Sequence, residues 1–191
     1  MKILILILAI SSVNFVLGDY ENLYDGCGDK KVCLGPTDDC VGDKDCVTFG
    51  SAHVENGKLV YEMKSFKQAK YIAIGLSKDK WMGEDSVIEC VKNNDKVDIF
   101  SSMTNTEGGE YGAPRDGVPQ NIMKLVEGKI VNGEIYCKVE RDLVTKVKGI
   151  DFDVNKPNYY VMLVSGSSLR ENSVDYHDFA YTVSKTKPNF F

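Results

Sequence analysis

The sequence predicts an all-β protein built as an antiparallel β-sandwich. Three observations carry that expectation. From Cys46 onward the chain is a series of short runs rich in Val, Ile, Tyr and Phe, each bounded by Gly, Asn, Asp or Lys, which is the punctuation of strands. Asn56-Gly57 and Asn132-Gly133 each sit between apolar runs, and Asn-Gly tolerates the positive φ angles that a two-residue hairpin demands. No segment carries a convincing amphipathic helical repeat. Composition agrees: 191 residues, 43% apolar and 27% charged, fit one compact globular domain and exclude collagenous or low-complexity classes.

In chain order, residues 1–18 combine Lys2, an apolar block from Ile3 to Ile10 and the small-residue ending Val16-Leu17-Gly18, the parts of a secretory signal peptide. A secreted, extracellular protein is therefore expected. No later apolar run approaches the roughly 20 residues a helix needs to cross a bilayer. The net charge of −5, with no clustered basic stripe, argues against nucleic acid and anionic lipid as partners. Residues 19–45 are rich in Gly and Asp and hold Cys27, Cys33 and Cys40, with Cys46 just beyond. This reads as a stapled, loop-rich lead-in without a hydrophobic core of its own.

The six cysteines, completed by Cys90 and Cys137, favour disulfides in an exported chain. The first four lack the tight C-x2-C knuckle of most structural zinc sites. If they bridge among themselves, three pairings are open, and Cys90 with Cys137 is then a long-range bridge. The expected strands are 46–54, 59–66, 71–77, 87–92, 97–103, 123–131, 134–140, 159–165 and 179–184. Between the fifth and sixth, Gly108-Gly109, Gly112, Pro114, Gly117 and Pro119 mark an excursion at one end of the sheets, of the kind that often carries function. The sandwich is expected to span residues 46–185, leaving 186–191 as a tail.

The segment Tyr71-Ile-Ala-Ile-Gly-Leu-Ser77, followed by Lys80-Trp-Met-Gly83 and Asp85-Ser-Val-Ile-Glu-Cys90, resembles the core motif of the DOMON domain family. The lead-in Cys27-Gly28, Cys33, Cys40 and Cys46, with Cys90 and Tyr136-Cys137, is similar to the DOMON module of ferric-chelate-reductase-like proteins. The resemblance covers about residues 26–185. It implies an immunoglobulin-like β-sandwich that binds either haem b or a sugar. Haem-binding members are similar to the cytochrome domain of cellobiose dehydrogenase, whose iron is held by one Met and one His. Carried over, those are Met82 of the Met-Gly motif and His177 of Asp175-Tyr-His-Asp178.

A thioether and an imidazole fill both axial positions of haem iron and raise its potential, which suits electron transfer over oxygen activation. Both side chains reach one pocket if the strand ending at Ser77 and the strand beginning near Phe179 run antiparallel. Trp81, Tyr111 and Tyr176 are candidate pocket-lining rings. Trp81 and Tyr111, with Tyr159-Tyr160, could equally form a stacking platform for a sugar, although Tyr159-Tyr160 reads first as one core ring and one surface ring. His53, beside the Asn56-Gly57 turn, reads as a surface residue. Asp79, Glu84 and Asp85 lack the ligand spacing of a calcium loop. There is no Gly-x-Ser-x-Gly elbow, no phosphate loop and no Asn-x-Ser/Thr sequon, so hydrolase and nucleotide chemistry and N-glycosylation are unsupported.

The sequence thus leads to a secreted haem b module that is not itself an enzyme and passes single electrons to an extracellular redox protein or a small reductant such as ascorbate. A haem-free sugar-binding or adhesion module is the alternative, and a purely structural extracellular protein the third.

Overall fold

A computed structural model of the chain describes residues 22–37, 39–66, 68–105 and 112–191. The expected signal peptide and Tyr111 lie outside the described residues. The strands are β1 (Val32–Leu34), β2 (Thr48–Glu55), β3 (Lys58–Ser65), β4 (Tyr71–Ser77), β5 (Ser86–Asn93), β6 (Lys96–Met103), β7 (Met123–Val131), β8 (Glu134–Asp142), β9 (Val144–Val147), β10 (Ile150–Asp153), β11 (Tyr160–Gly166), β12 (Leu169–Arg170), β13 (Ser173–Val174) and β14 (Ala180–Val183). Two five-stranded antiparallel sheets stack face to face, in the orders β1-β2-β3-β8-β7 and β14-β11-β4-β5-β6. Two small hairpins, β9-β10 and β12-β13, complete the fold.

All nine expected strands form, each end within two residues of its expected place. Asn56 and Gly57, at φ 50° and 74°, turn β2 into β3, and Asn132 and Gly133, at 53° and 83°, turn β7 into β8. The five additional strands have two to four residues each, too short for a side-chain period to show. The β9-β10 turn uses Lys148-Gly149 at φ 46° and 85°, the same backbone without the Asn signature. A single helical turn, Cys40–Asp43, sits in the lead-in.

The sandwich core follows the period of two. Ile72, Ile74 and Leu76 of β4, Ile88 and Cys90 of β5, and Val161 and Leu163 of β11 face Leu59, Tyr61 and Met63 of β3 and Ile135, Cys137 and Val139 of β8. Cys90 and Cys137 are bonded at the centre of this layer and join the two sheets. Among the three pairings open for the lead-in, the chain adopts Cys27–Cys33 and Cys40–Cys46. The lead-in also builds a small apolar cluster, contrary to the loop-only expectation. Leu23, Tyr24, Cys40 and Cys46 pack on Phe49 and Tyr136 of the first sheet, with the Tyr24 and Phe49 rings 4.6 Å apart. At the other terminus Phe190 is buried, and its carbonyl accepts the Val54 N–H at 3.0 Å.

The second sheet carries an apolar layer on its outer face as well, formed by Tyr71, Ala73, Val87 and Val91 with Phe100, Val164 and Val174. Every residue of β4 is therefore buried. That is why its sequence is an unbroken apolar run instead of an alternation. The described part of the glycine-rich excursion, from Gly112 onward, covers this face rather than only one end of the sheets. From it Arg115 places Nε and Nη2 at 2.9 and 2.6 Å from Glu89 Oε2, with its guanidinium 3.8 Å from the centre of the Phe100 ring.

Replacing both Cys90 and Cys137 with Ala releases a loop of 47 residues, and chain-entropy reasoning gives a loss of about 4 kcal/mol. Urea denaturation of the double variant beside the wild type checks this; an unchanged midpoint would contradict it.

Candidate functional site

The outer face of the second sheet holds a pocket. Ala73 and Gly75 of β4, Val87 of β5, and Met162 and Val164 of β11 form its floor. Thr104, Gly112 and Ala113 close it from the excursion, Arg170 and Val174 from the β12-β13 hairpin, and Met82, Tyr176, His177 and Tyr181 complete the wall. The enclosed volume is about 180 Å³. Apolar walls with a few polar groups are the usual character of a small-molecule site.

Met82 and His177 both line this pocket, but not by the route expected. β4 and β14 each pair antiparallel with β11, which lies between them, so they run parallel to each other. The loop after Ser77 and the segment before Ala180 therefore start at opposite ends of the sheet. They converge because each folds back over its outer face.

The His177 segment is clamped. Tyr71 donates its hydroxyl proton to the Asp175 carbonyl at 2.7 Å, and burial pushes the Tyr71 phenol far up, so it remains a donor. Ser167 donates from N–H and Oγ to the two Asp178 carboxylate oxygens at 2.8 and 2.6 Å. Ser168 Oγ and Arg170 Nε donate to Asp175 at 3.0 and 2.9 Å. Gly166 makes the fit possible: a Cβ there would lie 2.6 Å from the Tyr176 carbonyl oxygen and 2.7 Å from the edge of the Tyr71 ring. The His177 ring is stacked with both Tyr176 and Tyr181, at centroid distances of 5.2 and 5.1 Å. Burial lowers the His177 pKa below its ordinary 6.5, with Asp178 pulling the other way, so the imidazole is neutral at physiological pH.

The Met82 loop is fixed at its far end. Asp85 is buried, and its Oδ2 accepts from Gly83 N–H at 3.0 Å and from Thr104 Oγ1 at 2.8 Å. Thr104 Oγ1 in turn accepts from the Asp85 N–H at 2.8 Å. Burial raises the Asp85 carboxyl despite these bonds. Asp79 accepts the Trp81 N–H at 2.7 Å, and Lys80 offers its carbonyl to the Tyr181 hydroxyl at 3.4 Å. These two acids serve the loop's own backbone, and no group of three or more His, Cys, Asp or Glu among the described residues could hold a metal ion.

Of the expected lining rings, Tyr176 takes part in the wall and is itself 72% exposed. Trp81 does not: it is 78% exposed, with its N–H bonded to the Asp79 carboxylate at 2.7 Å, and is absent from the pocket wall. His53 stands half-buried on β2 in the other sheet and takes no part in the pocket. Tyr159 is a core residue and Tyr160 half-exposed. Sequence reasoning missed the floor and Tyr181. The available signal was the unalternating β4 run, which demands a covered outer face.

A two-sheet antiparallel sandwich with a second apolar layer, a pocket sunk into that layer and three disulfides defines a stapled β-sandwich domain. The family model of the DOMON domain matches residues 43–166, and the chain belongs to that family. It is 42% identical over 167 residues to a ferric-chelate reductase 1 homolog of Drosophila melanogaster, covering 86% of this chain and 26% of the relative. Ferric-chelate reductase 1 of Homo sapiens is 24% identical over 142 residues, 74% of this chain and 23% of the relative. The chain thus spans about a quarter of the length of these relatives. An uncharacterised protein of Caenorhabditis elegans is 26% identical over 184 residues, 88% of this chain and 75% of that protein. Among solved structures, the cytochrome domain of Myriococcum thermophilum cellobiose dehydrogenase aligns with TM-score 0.45 and 10% identity, over 72% of this chain and 73% of that one.

Arg115, two residues beyond the pocket residue Ala113, ties that segment to Glu89 of β5. Replacing it with Met leaves Glu89 as a buried charge without its cation, at an expected cost of about 3–5 kcal/mol near neutral pH. Burial already raises the Glu89 carboxyl, and Arg115 pulls it down; without Arg115 it rises further. The folded state then takes up a proton at a higher pH than the unfolded chain, whose glutamates titrate at about 4.3, so the deficit shrinks as pH falls. Urea denaturation at about pH 7 and about pH 5 reads this, and an equal deficit at both would rule out Glu89 as the source.

Proposed function

We propose that the chain is a secreted DOMON module in which Met82 and His177 hold haem b as a one-electron carrier. Its signal peptide would be residues 1–18, and the lead-in of 19–45 would be part of the mature domain. The observation that carries the reading is that the two side chains, 95 residues apart in sequence, line one apolar pocket. The donor set fits the cofactor, since a thioether and a neutral imidazole are a known axial pair. In size, the 180 Å³ cavity lies below the about 300–1,000 Å³ of typical ligand sites. Its exposed Tyr176 wall is the side on which it would enlarge. When bound, haem b supplies a one-electron iron couple with no position left open to oxygen.

This chain's residues supply the rest. Tyr71, Ser167 and Arg170 hold the backbone and carboxylates on either side of His177, and burial keeps its imidazole unprotonated. Asp85 and Thr104 hold the loop that presents Met82. The apolar floor of Ala73, Gly75, Val87, Met162 and Val164 would keep water from a bound haem. The disulfides, and the absence among the described residues of a helix long and apolar enough to cross a membrane, are compatible with an extracellular domain. The relatives' name, ferric-chelate reductase, supports a place in a redox chain, in which this module would exchange electrons with another extracellular protein or a small reductant and carry out no catalysis itself.

The first test is the visible spectrum of the mature protein expressed with added haem. A sharp Soret band with resolved α and β bands on reduction with dithionite is expected. Met82→Ala and His177→Ala should each abolish the low-spin form, whereas His53→Ala should leave it intact. Low-spin spectra retained in both pocket variants would refute the ligand assignment, and a flat spectrum from correctly folded wild type would favour the sugar-binding alternative.

The pH dependence follows from His177. Because its folded pKa lies below 6.5, the low-spin spectrum is expected to persist at about pH 6.5 and to fade on further acidification, as protonation competes for the imidazole. A spectrophotometric titration checks this; loss of the spectrum centred above 6.5 would contradict it.

A further inference from the structure

We propose that the exposed surface formed by Lys80, Trp81, Tyr160 and Lys187, beside the pocket, is the docking site for the acidic face of a protein partner. The inference starts from strand direction. Because β4 and β14 run parallel, both leave the second sheet at the end where β11 begins, with Ser77 opposite Tyr160 and Val183 opposite Met162. The segments that follow carry Lys78 and Lys80 in one case and Lys185 and Lys187 in the other, and all four are exposed.

The two segments meet on one ring. Lys80 Nζ lies 5.1 Å, and Lys187 Nζ 5.2 Å, from the centre of Tyr160. Lys80 Nζ also donates to the Lys185 carbonyl at 3.1 Å. Neither the Lys80 nor the Lys187 ammonium forms an ion pair among the described residues. Asp79, the nearest acid in sequence, is turned back on the Trp81 N–H. Two like charges share one aromatic ring without a carboxylate between them, in a chain whose overall charge is −5. The ring offsets part of their repulsion. A carboxylate-rich partner would offset the remainder and would be steered to this end of the molecule.

The apolar component identifies a protein surface as the occupant. Trp81, 78% exposed, lies in sequence between Lys80 and the pocket residue Met82, and Tyr181, 46% exposed, reaches the Lys80 carbonyl. An exposed Trp with flanking cations has the composition of an interface hot spot, whereas a small anion would find here no enclosed set of donors. The surface also adjoins the pocket directly. Tyr181 lines it, stacks on His177 and reaches the Lys80 carbonyl. The inference rests on the haem reading only in making the partner an electron-exchange protein; the docking itself requires no haem.

The test is a nuclear magnetic resonance titration of ¹⁵N-labelled, haem-free mature protein with a plant-type ferredoxin, an acidic one-electron protein, at low and at high salt. Amide shifts are expected at residues 78–81, 160, 181 and 185–187, and they should collapse at high salt. Lys80→Glu combined with Lys187→Glu should weaken binding at least about tenfold, and Trp81→Ala several-fold. Lys96→Glu, at the opposite end of the sheet, should change it less than twofold. Shifts centred elsewhere, or binding unaffected by the double charge reversal, would overturn the proposal. So would binding of chromium(III) hexacyanide at these residues with no binding of ferredoxin, which would define a small-anion site. Because binding is read without haem, failure here leaves the spectral test of the cofactor untouched, and a flat spectrum leaves this result untouched.

Discussion

The second sheet has to be covered on both sides, and most of the remaining structure answers that requirement. β4 has no polar face to offer to water, so one face takes the other sheet and the other takes whatever the connecting segments supply. The excursion after β6, the β12-β13 hairpin and the loop after β4 are all drawn onto that outer face. Loops make an uneven cover compared with a sheet. Where they fail to fill the space above Gly75 and Ala73, a pocket remains, walled by whichever side chains the loops bring.

Those loops are held by polar contacts placed where water is largely excluded. The Glu89–Arg115 pair anchors the excursion, the Asp85–Thr104 pair anchors the Met82 loop, and the Tyr71 hydroxyl anchors the His177 segment. Each is a bond whose loss would leave a buried group unsatisfied, which costs more than the bond itself contributes. The cover is thereby held in one arrangement, although much of its length lacks regular structure. Positions so fixed can present a thioether and an imidazole to the same space.

The sequence made some of this legible. The long strands and both Asn-Gly turns show in it because each depends on residues within a few positions of one another. Met82 and His177 were identified by a motif, and both line the pocket. Their means of meeting was not legible: strand order is a long-range property, and the insertion of β11 between β4 and β14 reverses the direction that a simple hairpin would impose. Nor was the exposure of Trp81 legible, since the neighbouring Met82 lines the pocket while Trp81 does not. Tyr181 carried no local mark at all. Its role comes from lying one strand away from the floor and within reach of His177.

The bond between Cys90 and Cys137 seals residues 91–136, including all of β6 and β7, inside a covalent loop. Met82 lies before that loop and His177 after it. A module tugged by its two ends would therefore yield unevenly. About 160 Å of contour, the extended length of the 47-residue loop, is withheld from extension, while the edge strand β14 and the clamp around His177 lie in the part that can be peeled away. Tension would dismantle the pocket before the sandwich gave way, and a protein that still held its central hairpins would already have parted Met82 from His177.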